Sequence, residues 1–143
     1  MENRGKESYI PVKVVQVGFI DESGLEGALM MRSDDGKTFS MRAFSGEVAL
    51  HMSRFMKGDR SSLPSVYNII EELAELLGLH LDHVQIYSNG TALRGDLYFT
   101  GKNKELTLDG YRASDAIALA LFYDAVIMVE DSIMQPADSL IDK

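Results

Sequence analysis

Pro64-Ser65-Val66-Tyr67-Asn68-Ile69-Ile70-Glu71-Glu72-Leu73-Ala74-Glu75-Leu76-Leu77-Gly78 is the stretch from which the rest of the chain can be read outward. Its apolar residues Val66, Ile69, Ile70, Leu73, Leu76 and Leu77 recur at helical spacing, with Glu71, Glu72 and Glu75 mainly on the other side. Pro64 sits near the start, where a missing N–H costs nothing, and Gly78 can close the end. A helix is expected here, midway along the chain. What flanks it has a different period.

Before it, Tyr9 to Phe19 is rich in β-branched valine and reads as a strand, followed by a turn at Asp21-Glu22-Ser23-Gly24. A second strand is expected around Gly27 to Arg32, then an Asp-Gly turn at Asp35-Gly36. Over Lys37 to Ala43, Phe39, Met41 and Ala43 alternate with Thr38, Ser40 and Arg42, a half-buried strand. From about Ser45 to Lys57 the period turns helical, with Val48, Ala49, Met52, Phe55 and Met56 on one stripe. After the central helix, strands are expected at about Asp82 to Tyr87, Leu93 to Thr100 and Glu105 to Asp109. A third helix from about Ser114 to Tyr123 is apolar nearly all round, so it belongs inside the domain or in an oligomer interface. Val126 to Val129 is a short last strand, and 130–140 should hold one or two helical turns.

The halves on either side of the central helix resemble each other. Val15-Gln16-Val17 aligns with Val84-Gln85-Ile86 at a shift of 69, and Leu25, Gly27 and Leu29 with Leu93, Gly95 and Leu97 at 68. Phe39 and Met41 align with Leu106 and Leu108 at 67, and Glu47-Val48 with Asp115-Ala116 at 68. The expected fold class is therefore α+β: mixed, largely antiparallel sheets from two pseudo-repeated βββα halves joined by a central helix. Such a repeat could bring Glu47 and Asp115 together through a pseudo-twofold axis.

The 143 residues suit one domain, read as 9–143 behind a polar tail at 1–8 without the apolar core of a secretory signal. No cysteine is present, which excludes a disulfide framework, a thiolate metal site and a cysteine nucleophile, and suits the cytoplasm. No stretch has the length of uninterrupted apolar residues that would let a helix span a membrane. Net charge is −8, the wrong balance for gripping a polyanion over the whole surface, though not for catalysis at a local site.

Asp109-Gly110-Tyr111-Arg112-Ala113-Ser114-Asp115-Ala116-Ile117-Ala118-Leu119-Ala120 resembles the Arg-Pro-Ser-Asp-Ala-Ile-Ala-Leu-Ala stretch of the bifunctional nuclease domain family, proteins associated with DNA and RNA cleavage. Ala125-Val126-Ile127-Met128-Val129 and Ile133 fit that family's following strand, and the resemblance spans about Tyr9 to Ile133. Two departures stand out. Ala113 replaces the usual Pro, and Ser62-Leu63-Pro64-Ser65-Val66-Tyr67 lacks the Arg and the His of an Arg-Pro-x-x-His-Asp motif entering the central helix. The resemblance implies a metal-assisted nuclease acting on DNA or RNA, and a homo-oligomer. The alternative is a binding or assembly module that kept the fold without an active site.

Asp115, Glu47 and Asp109 are the candidate ligands for Mg²⁺ or Mn²⁺, ions that prefer oxygen and activate water. Arg112 would bind the phosphate, with Ser114 beside it. A purely structural reading is equally available: Ser114 caps the third helix, Asp115 meets its positive end, and Arg112 pairs with an Asp. Glu47, His51 and Arg54, at i, i+4 and i+7, could form an acid, a general base and a phosphate clamp, or simply a solvated charged face. Lys57 and Arg60 extend that basic end. His80 and His83, without cysteine, are poor evidence for zinc.

Overall fold

The computed structural model describes residues 8–137. Seven strands form one mixed sheet: β1 (Tyr9–Phe19), β2 (Glu26–Ser33), β3 (Thr38–Ser45), β4 (Leu79–Ser88), β5 (Leu93–Gly101), β6 (Lys104–Arg112) and β7 (Val126–Glu130). Three helices accompany them: α1 (Gly46–Met56), α2 (Val66–Leu76) and α3 (Ala113–Tyr123). The strand order is β3-β2-β1-β7-β4-β5-β6. All pairs are antiparallel except β4 with β7. The class is α+β, as the alternating and helical periods require.

Alternation in β2 and β3 sends Leu29, Met31, Phe39 and Met41 into the core, and β4 and β5 send Val84, Ile86, Leu97 and Phe99 there. Leu106 and Leu108 of β6, aligned with Phe39 and Met41, stay partly exposed. β7, also a core strand through Ile127 and Val129, sits between the two three-strand units. The third helix resolves its two expectations in favour of the interior: Ala116, Ile117, Ala118, Ala120 and Phe122 are all sealed from solvent.

In both halves the third strand bulges just before its helix. β3 skips Ala43 between the pairs Gly27–Phe44 and Ala28–Arg42, and Ala43 adopts φ 66°. That bulge corrects the expected alternation, since Ala43 is exposed rather than aligned with Phe39 and Met41. β6 bulges between Tyr111 and Leu108 against Gly95 and Leu97, with Gly110 at φ 79°. The helices then approach the sheet closely at two glycines. A Cβ on Gly27 would lie 2.6 Å from that of Ala49, and one on Gly95 would lie 2.5 Å from that of Ala116. Gly27 and Gly95 are where α1 and α3 rest on their strands.

These contacts also set the helix register. Phe55 and Phe122 meet with ring centroids 5.2 Å apart, and both helices run for 11 residues. Counted from the helix starts, Glu47 matches Ser114 and Val48 matches Asp115. The sequence alignment of Glu47 with Asp115 is thus one residue out of step with the packing.

The central helix departs most from expectation. Its docked side is Tyr67, Ile70 and Ala74, whereas Val66, Ile69, Leu73, Leu76 and Leu77 are exposed. β4 and β6 are longer than expected, β6 running directly into α3. After β7 a 3-10 turn covers Asp131–Ile133, within the stretch 130–140 where helical turns are expected; residues 138–140 of that stretch and 1–7 of the expected tail lie outside the described residues.

Close approach at the two glycines predicts that Gly27→Ala and Gly95→Ala each lose about 1–3 kcal/mol in urea unfolding, the usual cost of overpacking. Gly18→Ala, with nothing within 4 Å of an added Cβ, should be near neutral.

Candidate functional site

A pocket of about 500 Å³ opens between α2, α3 and the β5–β6 pair. Val66, Ile70, Leu97, Phe99, Leu108 and Leu119 form apolar walls, and Tyr67, Tyr111, Arg112 and Asp115 supply the polar groups. The size and the mix, mostly apolar with a few convergent polar groups, suit a small organic ligand.

Arg112 and Asp115 stand at this pocket because β6 passes into α3 without a loop. The bulge before them is pinned from below by Asp96. This buried carboxylate accepts from the Gly110 N–H at 2.8 Å and from the Tyr87 hydroxyl at 2.9 Å. Arg112 is itself the N-cap of α3, and no side chain caps that end. The expected cap at Ser114 is therefore corrected: the helix begins at Ala113, and Ser114 lies buried in its first turn. At α1 a side chain does cap the start, Ser45 Oγ accepting from the N–H groups of Glu47 and Val48.

Arg112 Nε donates to Asp115 Oδ2 at 2.8 Å, while the guanidinium as a whole stays largely exposed. That leaves its terminal nitrogens facing solvent beside a helix N-terminus, whose partial positive charge favours an anion. The hydrogen bond to Asp115 in turn holds the Arg112 guanidinium above its ordinary pKa.

Tyr67 was not singled out by sequence reasoning, yet it is the buried polar residue of the pocket. Burial, then the charges of Asp115 and Glu47, push its phenol up to about 12. It therefore stays protonated and is a hydrogen-bond donor at neutral pH. A signal was present: counted from Pro64, Tyr67 takes the place of the His in the Arg-Pro-x-x-His-Asp motif.

Glu47, His51 and Arg54 do lie together on α1, but not as a solvated face. His51 packs against Phe55 and Tyr67, with centroids 5.9 and 5.2 Å away. Arg54 Nη1 is 2.7 Å from His51 Nδ1. Arginine can only donate, so Nδ1 accepts and the neutral ring carries its proton on Nε2, which faces Glu47 at 3.9 Å. Arg54 also donates to the Leu63 carbonyl and lies 3.7 Å from Asp59, so it braces the loop that leads to α2. Arg60 reaches across to α3, donating to the Phe122 carbonyl at 2.7 Å and pairing with Glu71.

The three candidate carboxylates are thus placed differently. Asp115 is in the pocket wall, Glu47 is exposed beside His51 and acts on Tyr67 through its charge, and Asp109 is exposed on β6 away from the pocket lining. Among the described residues no three His, Cys, Asp or Glu side chains gather as a metal-binding group. His80 and His83 lie within β4, where His83 stacks on Tyr98 and pairs with Asp82.

Fold and site together define an α+β domain with a pocket that presents an arginine, a carboxylate and a protonated tyrosine at a helix N-terminus. The family model of the bifunctional nuclease domain matches residues 29–142, and the chain belongs to that family. Comparison with curated proteins returns no match. Among the described residues no helix is long and apolar enough to cross a membrane.

His51 gives the site a pH signature. Burial first, and Arg54 second, lower its pKa from 6.5, against the opposing pull of Glu47. The unfolded chain then binds a proton that the folded chain resists, so stability is full above 6.5 and falls as the pH drops below that value. Urea midpoints measured from neutral to mildly acidic pH should fall more steeply for the wild type than for His51→Gln.

Proposed function

We propose that this chain hydrolyses phosphodiester bonds in single-stranded DNA or RNA at the pocket beside α3. The observation that carries the reading is the Arg112–Asp115 pair at the rim of a largely apolar pocket, in a chain of the bifunctional nuclease domain family.

A single strand can turn one base into an apolar pocket of this size, while its phosphate remains at the rim. There the terminal nitrogens of Arg112 grip two phosphate oxygens, its Nε staying on Asp115. Tyr67, kept protonated, donates to a phosphate oxygen as negative charge grows in the transition state. Asp115 orients the attacking water and takes its proton as the water oxygen bonds to phosphorus; the P–O bond to the sugar breaks, and the leaving oxygen takes a proton from solvent. Ser114, buried in the first turn, contributes through its backbone rather than its hydroxyl. His51 and Arg54 position Tyr67 and the loop into α2. This work is placed in the cytoplasm, which the absence of cysteine suits.

Mg²⁺ needs only one or two carboxylates when phosphate and water complete its shell. Asp115 with a bound phosphate meets that minimum, and Glu47 is the other candidate donor whose charge reaches Tyr67. Asp109 does not fit. A bound Mg²⁺ or Mn²⁺ would polarise water and offset phosphate charge.

The scattered carboxylates favour one other reading, a module that binds nucleic acid strands or nucleotides in the same pocket without cutting them.

The test is cleavage of labelled single-stranded DNA and RNA, with Mg²⁺, with Mn²⁺ and with neither, by identically purified wild type and variants. Asp115→Asn and Arg112→Gln should each slow cleavage by about 100-fold or more. Tyr67→Phe should slow it by roughly tenfold, the worth of one hydrogen bond. Cleavage equal in all four proteins would place the activity elsewhere. Binding without cleavage, lost in Arg112→Gln, would establish the binding module instead.

A further inference from the structure

The face of α2 that the domain leaves bare is unusual for a monomer. Val66, Ile69 and Leu73 are each 57% exposed, Leu77 is 58% exposed and Leu76 83%. At 100° per residue these side chains form one continuous stripe, turned roughly 110° around the helix from the side that Tyr67 and Ala74 bury. Leu63, just before the helix, is exposed as well. Such a patch covers several hundred Å², more than scattered surface leucines explain and close to the roughly 800 Å² per partner of a standard interface.

We propose that this stripe is the contact between two copies of the chain, which pair α2 against α2 in antiparallel fashion about a twofold axis. This does not depend on the catalytic reading of the pocket.

Charge chooses both the occupant and the direction. The exposed acids Glu72 and Glu75 lie in the second half of α2, the first turn carries no acid, and the last turn carries no base. A parallel pair would stack Glu72 on Glu72 and Glu75 on Glu75. An antiparallel pair centred between Ile69 and Leu73 sets Leu76 against the partner's Val66. It also sets each acidic half beside the partner's acid-free helix start, whose dipole welcomes negative charge. One self-complementary surface is what an isologous dimer requires. The helix is not itself loose: Arg60 ties it through Glu71, and Lys104 holds its end by donating to the carbonyl of the C-cap residue Leu77. The stripe is presented on a fixed support.

The measurement is molar mass in solution by light scattering, over a wide range of protein concentration, for wild type, Leu73→Lys and Ile69→Lys. The proposal expects a dimeric wild type and variants that run as monomers with unchanged circular dichroism, because both side chains already face solvent within one copy. A wild type that stays monomeric throughout would overturn it and leave the face to a different protein. A dimer that survives both folded variants would also overturn it, by placing the interface elsewhere.

Should either lysine variant fail to fold, cross-linking decides. The chain has no native cysteine. An equimolar mixture of Ile69→Cys and Leu73→Cys proteins, treated with a short bismaleimide, is expected to give mainly the mixed covalent dimer. A preference for each homodimer would overturn the antiparallel arrangement, and no cross-link at all would overturn the interface.

Discussion

The structure depends on one junction, where Phe122 near the end of α3 meets Phe55, Tyr67 and Arg60 at once. Its ring lies 5.2 Å from Phe55 and 6.2 Å from Tyr67, with the Arg60 guanidinium 4.3 Å above it. The same arginine bonds the Phe122 carbonyl and pairs with Glu71, so one side chain joins the loop after α1, the helix α2 and the end of α3. Such a bond also satisfies a carbonyl that the helix end would otherwise leave open. This matters because α2 buries little of itself, only Tyr67 and Ala74 being fully covered. Without the junction, neither Tyr67 nor the pocket wall on which it sits would have a defined position.

Much of this was legible in the sequence, and the failures have physical causes. Alternation and helical period place every strand and helix, since burying one face of each imposes those periods. What period cannot do is say which of two sides a helix docks when both carry bulk. In α2 the strongest stripe runs through Leu73, yet the docked side is an aromatic residue and an alanine, small enough to let the helix lie close. Bulges are equally hidden. Ala43 at positive φ leaves no mark in an alternating pattern, whereas Gly110 at the matching place in β6 can be read only once the strand is known to continue to Arg112.

The site was half legible for a related reason. Arg112 and Asp115 are local to each other, three residues apart on one helical turn, and local relations survive in sequence. The joining of Glu47 with Asp115 needed a long-range alignment, and a shift wrong by one residue turns a side chain through about 100°. Asp96 shows the converse. It reads as one of many acids on the surface of an acidic chain, yet burial makes it the anchor of the bulge that aims Arg112. In a chain of net charge −8, a single arginine can still define an anion site, because the field that matters is local and a helix start reinforces it.

The two sides of α2 then explain each other. In an isolated chain this helix is fixed by its two buried residues, Arg60 and Lys104, yet most of its apolar surface stays in water. Covering the stripe with a second copy removes that surface from water and adds support to the helix that carries Tyr67. Val66 and Ile70 sit at the boundary, since both also line the pocket. A contact along the stripe would therefore fix the pocket wall from outside, as the Phe122 junction fixes it from within. On this view the apolar residues that appear misplaced in one copy are the remaining half of a helix packed on two sides.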